Sequence, residues 1–162
     1  MKYLKKYEQQ IITKLDYSNK NLFELPQLPE SLERLSCYNN KLSELPPLPD
    51  SLEKLECDEN NLTELPQLPD SLKILYCYDN NLNELPPLPD SLEILDCRRN
   101  NLTELPPLPD SLNGLNCYNN KLPFNNINEY KKWYQENEAM IEKVGLSKTY
   151  KLYNKASKYN IL

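Results

Sequence analysis

The stretch LECDENNLTELPQLPD, residues 55–70, decides the fold. It sets a cysteine among acids, then two asparagines, then a proline-broken run. Residues 75–90 read LYCYDNNLNELPPLPD, and residues 95–110 read LDCRRNNLTELPPLPD. The offset is 20 residues each time, so the segment is one unit of an internal repeat and not an isolated thiol site. Units begin at Ile12, Leu32, Leu52, Leu72, Leu92 and Leu112. They share the pattern L-x-x-L-x-C-x-x-N-x-L-x-x-L-P-x-L-P-D-S. The first unit departs from it at Tyr17 and Lys20, and the sixth ends early in LPF, residues 122–124.

Elementary physics gives this unit a shape. Leu55 and Cys57 alternate with Lys54, Glu56 and Asp58, the period of two of a half-buried strand. One unit is too small to bury its own apolar side, so neighbours must stack and pool their leucines. Equivalent positions then form columns spaced by about 4.8 Å, the separation of paired strands. The tail ELPPLPD cannot be helical, because its prolines remove donors and force the preceding residues into extended shapes. The expected fold is a solenoid with short parallel strands on one face and an extended, polyproline-like opposite face.

This pattern resembles the leucine-rich repeat, whose signature is L-x-x-L-x-L-x-x-N-x-L. The 20-residue length and the tail LPPLPDSL are similar to the short bacterial type of secreted effectors, the YopM and IpaH kind. Units with C-x-N-N also resemble leucine-rich repeat proteins of giant DNA viruses. The resemblance covers residues 12–124. It implies an α/β solenoid, a right-handed superhelix with its strands on the concave face and caps over its ends. It also implies a protein-binding role in a virus- or pathogen-encoded effector. Too few residues follow the repeats to hold the ligase domain of the IpaH type.

The expected layout is therefore an N-terminal cap over 1–11, six repeats over 12–124 and a helical C-terminal cap over 125–162. In the last segment Ile127, Tyr130, Tyr134, Ile141 and Val144 recur at helical spacing. Asn128 is placed to start that helix and Gly145 to end it. A second helix with Leu152, Ala156 and Tyr159 follows. Tyr3, Leu4, Tyr7 and Ile11 are expected to cover the first repeat.

Composition excludes several chemistries. The chain has no histidine, which removes Ser-His-Asp triads, Cys-His dyads and imidazole metal sites. Gly114 and Gly145 are its only glycines, so no glycine-rich phosphate loop exists. Cys37, Cys57, Cys77, Cys97 and Cys117 all take the sixth position of a unit and read as small buried apolar residues. A spacing of 20 suits neither a zinc site nor a disulfide ladder. Asn40, Asn60, Asn80, Asn100 and Asn120 are expected to turn inward onto backbone groups. Two acidic rows, Glu24 to Glu104 and Glu30 to Asp110, recur once per unit. The Asp-Ser pair before each strand is expected to accept nearby backbone N–H groups. No enzyme, cofactor or metal site is expected.

Net charge is −5, but residues 15–120 hold 7 basic and 19 acidic groups between two mildly basic ends. That balance disfavours nucleic acid. No signal peptide or membrane span is legible, so the expected location is the cytoplasm, including that of a host cell. The variable positions 2, 3, 5, 7 and 8 of each unit are expected on the strand face. There Ile74, Tyr76, Tyr78, Ile94, Arg98 and Tyr118 form a patch of interface-type residues, joined by Tyr38 and Asp58. Glu56, Asp58 and Glu59 make an acidic edge that favours a basic partner. The expected function is a monomeric protein-binding module. The alternative is an adaptor choosing substrates for a ubiquitin ligase or kinase supplied in trans.

Overall fold

A computed structural model describes residues 11–150. Six three-residue strands follow one another: β1 Lys14–Asp16, β2 Arg34–Ser36, β3 Lys54–Glu56, β4 Ile74–Tyr76, β5 Ile94–Asp96 and β6 Gly114–Asn116. They form one parallel sheet in sequence order. The register never slips: Leu35 pairs with Leu55, Leu55 with Leu75 and Leu75 with Leu95. Each unit is therefore one coil of a solenoid. No helix interrupts the proline-rich return between strands.

Inside the coils the leucines meet as the period of two requires. Leu32, Leu52, Leu72 and Leu92 are fully buried, and so are all five cysteines. Burial drives every thiol above its ordinary range, Cys37 and Cys117 to about 12 and Cys57, Cys77 and Cys97 well above 9.0. None is therefore a thiolate nucleophile at neutral pH.

The ninth-position asparagines tie the coils together. The Asn60 side chain accepts from the Leu42 amide (3.0 Å) and donates to the carbonyls of Cys37 (3.0 Å) and Cys57 (3.2 Å). Asn80, Asn100 and Asn120 repeat this geometry one coil further each time. Each amide satisfies groups that the loop would otherwise bury unpaired. The residue just before each asparagine is left-handed, with φ of 50–55° at Asn39, Glu59, Asp79, Arg99 and Asn119. That turn swings the asparagine inward.

The Asp-Ser pairs do the reverse of what their spacing predicts. Ser71 Oγ lies 2.7 Å from the carbonyls of both Asp50 and Leu52, so the hydroxyl donates across to the preceding coil. Ser51 and Ser91 do the same. The N–H to be satisfied, that of Leu72, already bonds Pro69 within its own turn (3.0 Å), which leaves carbonyls as the open partners.

The C-terminal end is closed by helix α1, Ile127–Val144. Its N-cap is Asn126, not Asn128: the Asn126 side chain accepts from the amides of Asn128 and Glu129. Gly145 ends it at φ 85°. The Asn125 carbonyl takes the Cys117 amide (2.9 Å), the bond that a seventh strand would have supplied. Phe124 sits buried over the last coil, ringed by Tyr130, Trp133 and Tyr150 at centroid distances of 5.0–6.0 Å. Residues 146–150 are helical, and Ser147 donates to Glu104. Leu152, Ala156, Tyr159 and the expected front cap of Tyr3, Leu4 and Tyr7 lie outside the described residues. Ile11 does not cover the first repeat, since it is 74% exposed.

Two outcomes test this packing. Asn100→Ala strands the Leu82 amide and removes one of the two asparagine donors from each of the Cys77 and Cys97 carbonyls. It is expected to cost about 2–5 kcal/mol in urea unfolding, against less than about 0.5 for the exposed Asn61→Ala. Similar midpoints for the two variants would contradict the amide ladder. The buried thiols add a pH dependence. The folded chain keeps thiol protons that an unfolded chain releases above 9.0, so stability is full below that pH and falls as pH rises toward 12. The urea midpoint is expected to be lower at about pH 10.5 than at about pH 8, and a flat profile would contradict buried neutral thiols.

Candidate functional site

The strands fix the candidate surface by alternation. Leu55, Leu75 and Leu95 point inward, so the residues on either side of them face out. One outward column runs Lys54, Ile74, Ile94, Gly114, and the next runs Ser36, Glu56, Tyr76, Asp96, Asn116. Just beyond the strands lies a third, Tyr38, Asp58, Tyr78, Arg98, Tyr118. Unit spacing thus places a tyrosine at every second step of this last column, with an acid and then a base between them.

The structure brings together most of the residues expected there. Ile74 and Ile94 pair in register, as do Tyr76 and Asp96. The Arg98 guanidinium lies 4.1 Å from the Tyr78 ring centroid and 5.8 Å from that of Tyr118, and it pairs with Asp96 at 2.7 Å. Lys54 lies 5.5 Å from the Tyr76 ring centroid and pairs with Glu56 at 2.9 Å. Glu56 also accepts from Ser36. Tyr38 is exposed, whereas Ile74, Tyr76, Tyr78, Ile94, Arg98 and Tyr118 are half-buried.

Asp58 departs from the expectation of an exposed contact. It is only 4% exposed. Burial raises its carboxyl above the usual range, against the Tyr78 hydroxyl that bonds it. Burial likewise pushes Tyr78 up to about 12, with Asp58 reinforcing the shift. Asp96 is raised by burial too, and Arg98 opposes the rise. Position 8 also differs: Asn39, Glu59, Asp79, Arg99 and Asn119 form the left-handed corner beyond the strand face.

A pocket of about 320 Å³ opens between Tyr38, Tyr76 and Tyr78, with Glu56, Asp58 and Asp96 supplying its acids. Asp96 carried no weight in the sequence because its unit differs little from its neighbours; the signal was its register beside Tyr76. Among the described residues, no group of three or more acids and thiols is arranged to hold a metal ion, and no helix is long and apolar enough to cross a membrane.

Comparison with known proteins bears on the fold. Residues 91–112 match the Leucine Rich Repeat family. No curated protein matches the chain. Among solved structures it is similar to YopM, a leucine-rich effector protein from Yersinia pestis, at 43% identity and a TM-score of 0.66, over 68% of this chain and 32% of that one. YopM from Yersinia enterocolitica WA-314 gives 45% identity and a TM-score of 0.66, over 67% and 25% of the two chains. A Shigella effector leucine-rich repeat domain gives 39% and 0.66, over 67% and 50%. The chain thus spans a quarter to a half of the length of these structures. With the repeat, the parallel register and these likenesses together, the chain is a leucine-rich repeat protein of the short bacterial type.

Proposed function

We propose that the strand face is a docking surface for a partner protein, and that the chain works as a binding module in the manner of effector repeat domains. The observation that carries this reading is the contrast between columns. Inward positions repeat leucine, cysteine and asparagine from coil to coil, while the outward positions of the same strands change residue at almost every step. The changes gather four tyrosines, two isoleucines and an arginine on one face. Tyrosine and arginine supply large contact area at low ordering cost and dominate protein interfaces. Surface isoleucines at the centre of such a patch gain most when a partner removes them from water. The acidic side chains around the patch disfavour nucleic acid and favour a basic protein surface. Likeness to effector proteins supports a site of action in the cytoplasm of a host cell.

The test compares two double variants of the full chain. Ile94→Ala with Tyr118→Ala alters the strand face. Gln27→Ala with Gln67→Ala alters exposed residues of the proline-rich return. Affinity capture with quantitative mass spectrometry, followed by titration of the recovered partner, is expected to show a loss of about fivefold or more for the first only. Equal recovery by both variants, with both folded by circular dichroism, would sink the reading.

A further inference from the structure

The pocket on the strand face has a chemistry of its own. Its three acids are not equivalent. Glu56 is paired with Lys54, and Asp96 with Arg98. Asp58 alone has no lysine or arginine within ion-pair distance among the described residues, although it is the most deeply buried of the three. The Tyr78 hydroxyl and the Asp58 backbone amide bond its carboxylate, but neither brings a charge. A buried carboxylate without a cation is costly unless something completes it.

The molecule displays a solution to the same problem one slot along. Tyr78 and Tyr118 are two coils apart, hence separated by roughly 10 Å along the column. Arg98 fills the gap between them, its flat guanidinium facing one ring at 4.1 Å and the other at 5.8 Å, its charge met by Asp96. Tyr38 and Tyr78 stand at the same two-coil separation. The residue between them is Asp58, so this slot has the rings and the anion but lacks the cation. Tyr76 lines it as a third ring. A space of about 320 Å³ is ample for one guanidinium and its stem.

We infer that this pocket takes a single arginine side chain from a partner protein, its guanidinium lodged between Tyr38 and Tyr78 over the Asp58 carboxylate. Planar, weakly hydrated and able to stack on aromatic faces, guanidinium suits this slot better than a compact ammonium. A hard divalent ion would need six or more oxygens converging on one point, which the three separated carboxylates do not provide. The inference rests on the docking role of the strand face and adds the chemistry of one anchor on the partner.

The probe is N-acetyl-arginine amide, titrated into the full chain while the tyrosine ring signals are followed by NMR. Saturable shifts at Tyr38, Tyr76 and Tyr78, with an affinity of roughly millimolar, are expected. N-acetyl-lysine amide is expected to bind more weakly, and the neutral isostere N-acetyl-citrulline amide to produce no saturable shift. Asp58→Asn and Tyr38→Ala are each expected to weaken arginine binding by about fivefold or more. Citrulline binding as well as arginine, calcium chloride competing for the same signals, or both variants binding within twofold of the parent would overturn the assignment. Should Asp58→Asn fail to fold, the exposed Tyr38→Ala decides by itself. Ile94 and Tyr118 lie outside the pocket, so the two readings fail separately. Loss of partner capture on changing Ile94 and Tyr118, with no arginine binding, removes the pocket but keeps the docking face. Arginine binding with capture untouched removes the docking face instead.

Discussion

A three-residue strand makes too few hydrogen bonds to hold a coil by itself, and the whole stack depends on one side-chain amide per unit. That amide serves the preceding coil as much as its own. Asn80 accepts from Leu62 and donates to Cys57, both residues of the unit before it. The bonds therefore cross every boundary between coils, and no plane of weakness is left between them. This direction explains why the first unit can carry Lys20 at the same position. Asn40 of the second unit already accepts from the amides of Lys20 and Leu22. An amide at position 20 would have no earlier coil among the described residues to serve.

The same logic governs the cysteines and the C-terminal end. The sixth position lies where strand meets corner, and its amide continues the ladder one step past the strand, from Cys57 to Tyr76 and from Cys77 to Asp96. A compact side chain fits there among fully buried leucines without forcing the coils apart. At the last coil the ladder must stop, and Cys117 would face an absent neighbour. Residues 124–126 solve this by supplying a carbonyl, a buried phenyl ring and a helix N-cap in three consecutive positions. The cap is thus an imitation of the next repeat on its polar side and an aromatic lid on its apolar side.

What could be read from the residues follows from this division. Positions that touch the neighbouring coil recur every 20 residues, so the inward leucines, thiols and asparagines declared their roles through repetition. Features that depend on local geometry did not. The left-handed corner falls on Asn39, Glu59, Asp79, Arg99 and Asn119, residue types with no common backbone preference, because the inward pull of the next asparagine dictates the turn. The serine hydroxyls reversed their expected direction because the turn had already satisfied its own amide. Asn126 displaced Asn128 as helix cap since one short polar residue looks much like another in sequence. Trp133 sits three residues after Tyr130 on the same helical face, but its stacking on Tyr150 at 4.8 Å joins two separate segments, which spacing within one helix does not show.

The outward columns obey a different constraint, and Asp58 is where it shows. Position 7 carries Ser18, Tyr38, Asp58, Tyr78, Arg98 and Tyr118, so the stack tolerates small, aromatic, acidic and basic side chains there. Nothing in the coil geometry demands a carboxylate at that step, and desolvating one opposes folding. The base at the following acid-or-base step is compensated within the chain, since Arg98 meets Asp96 and two tyrosine rings. The acid is met by a neutral hydroxyl and its own backbone amide, and by no cation among the described residues. Its bond to Tyr78 reaches the next coil but brings no charge, so the desolvation of Asp58 is offset less fully than that of Arg98. The solenoid supplies a grid at strand spacing, and the outward squares of that grid differ in how completely their charges are met within the chain.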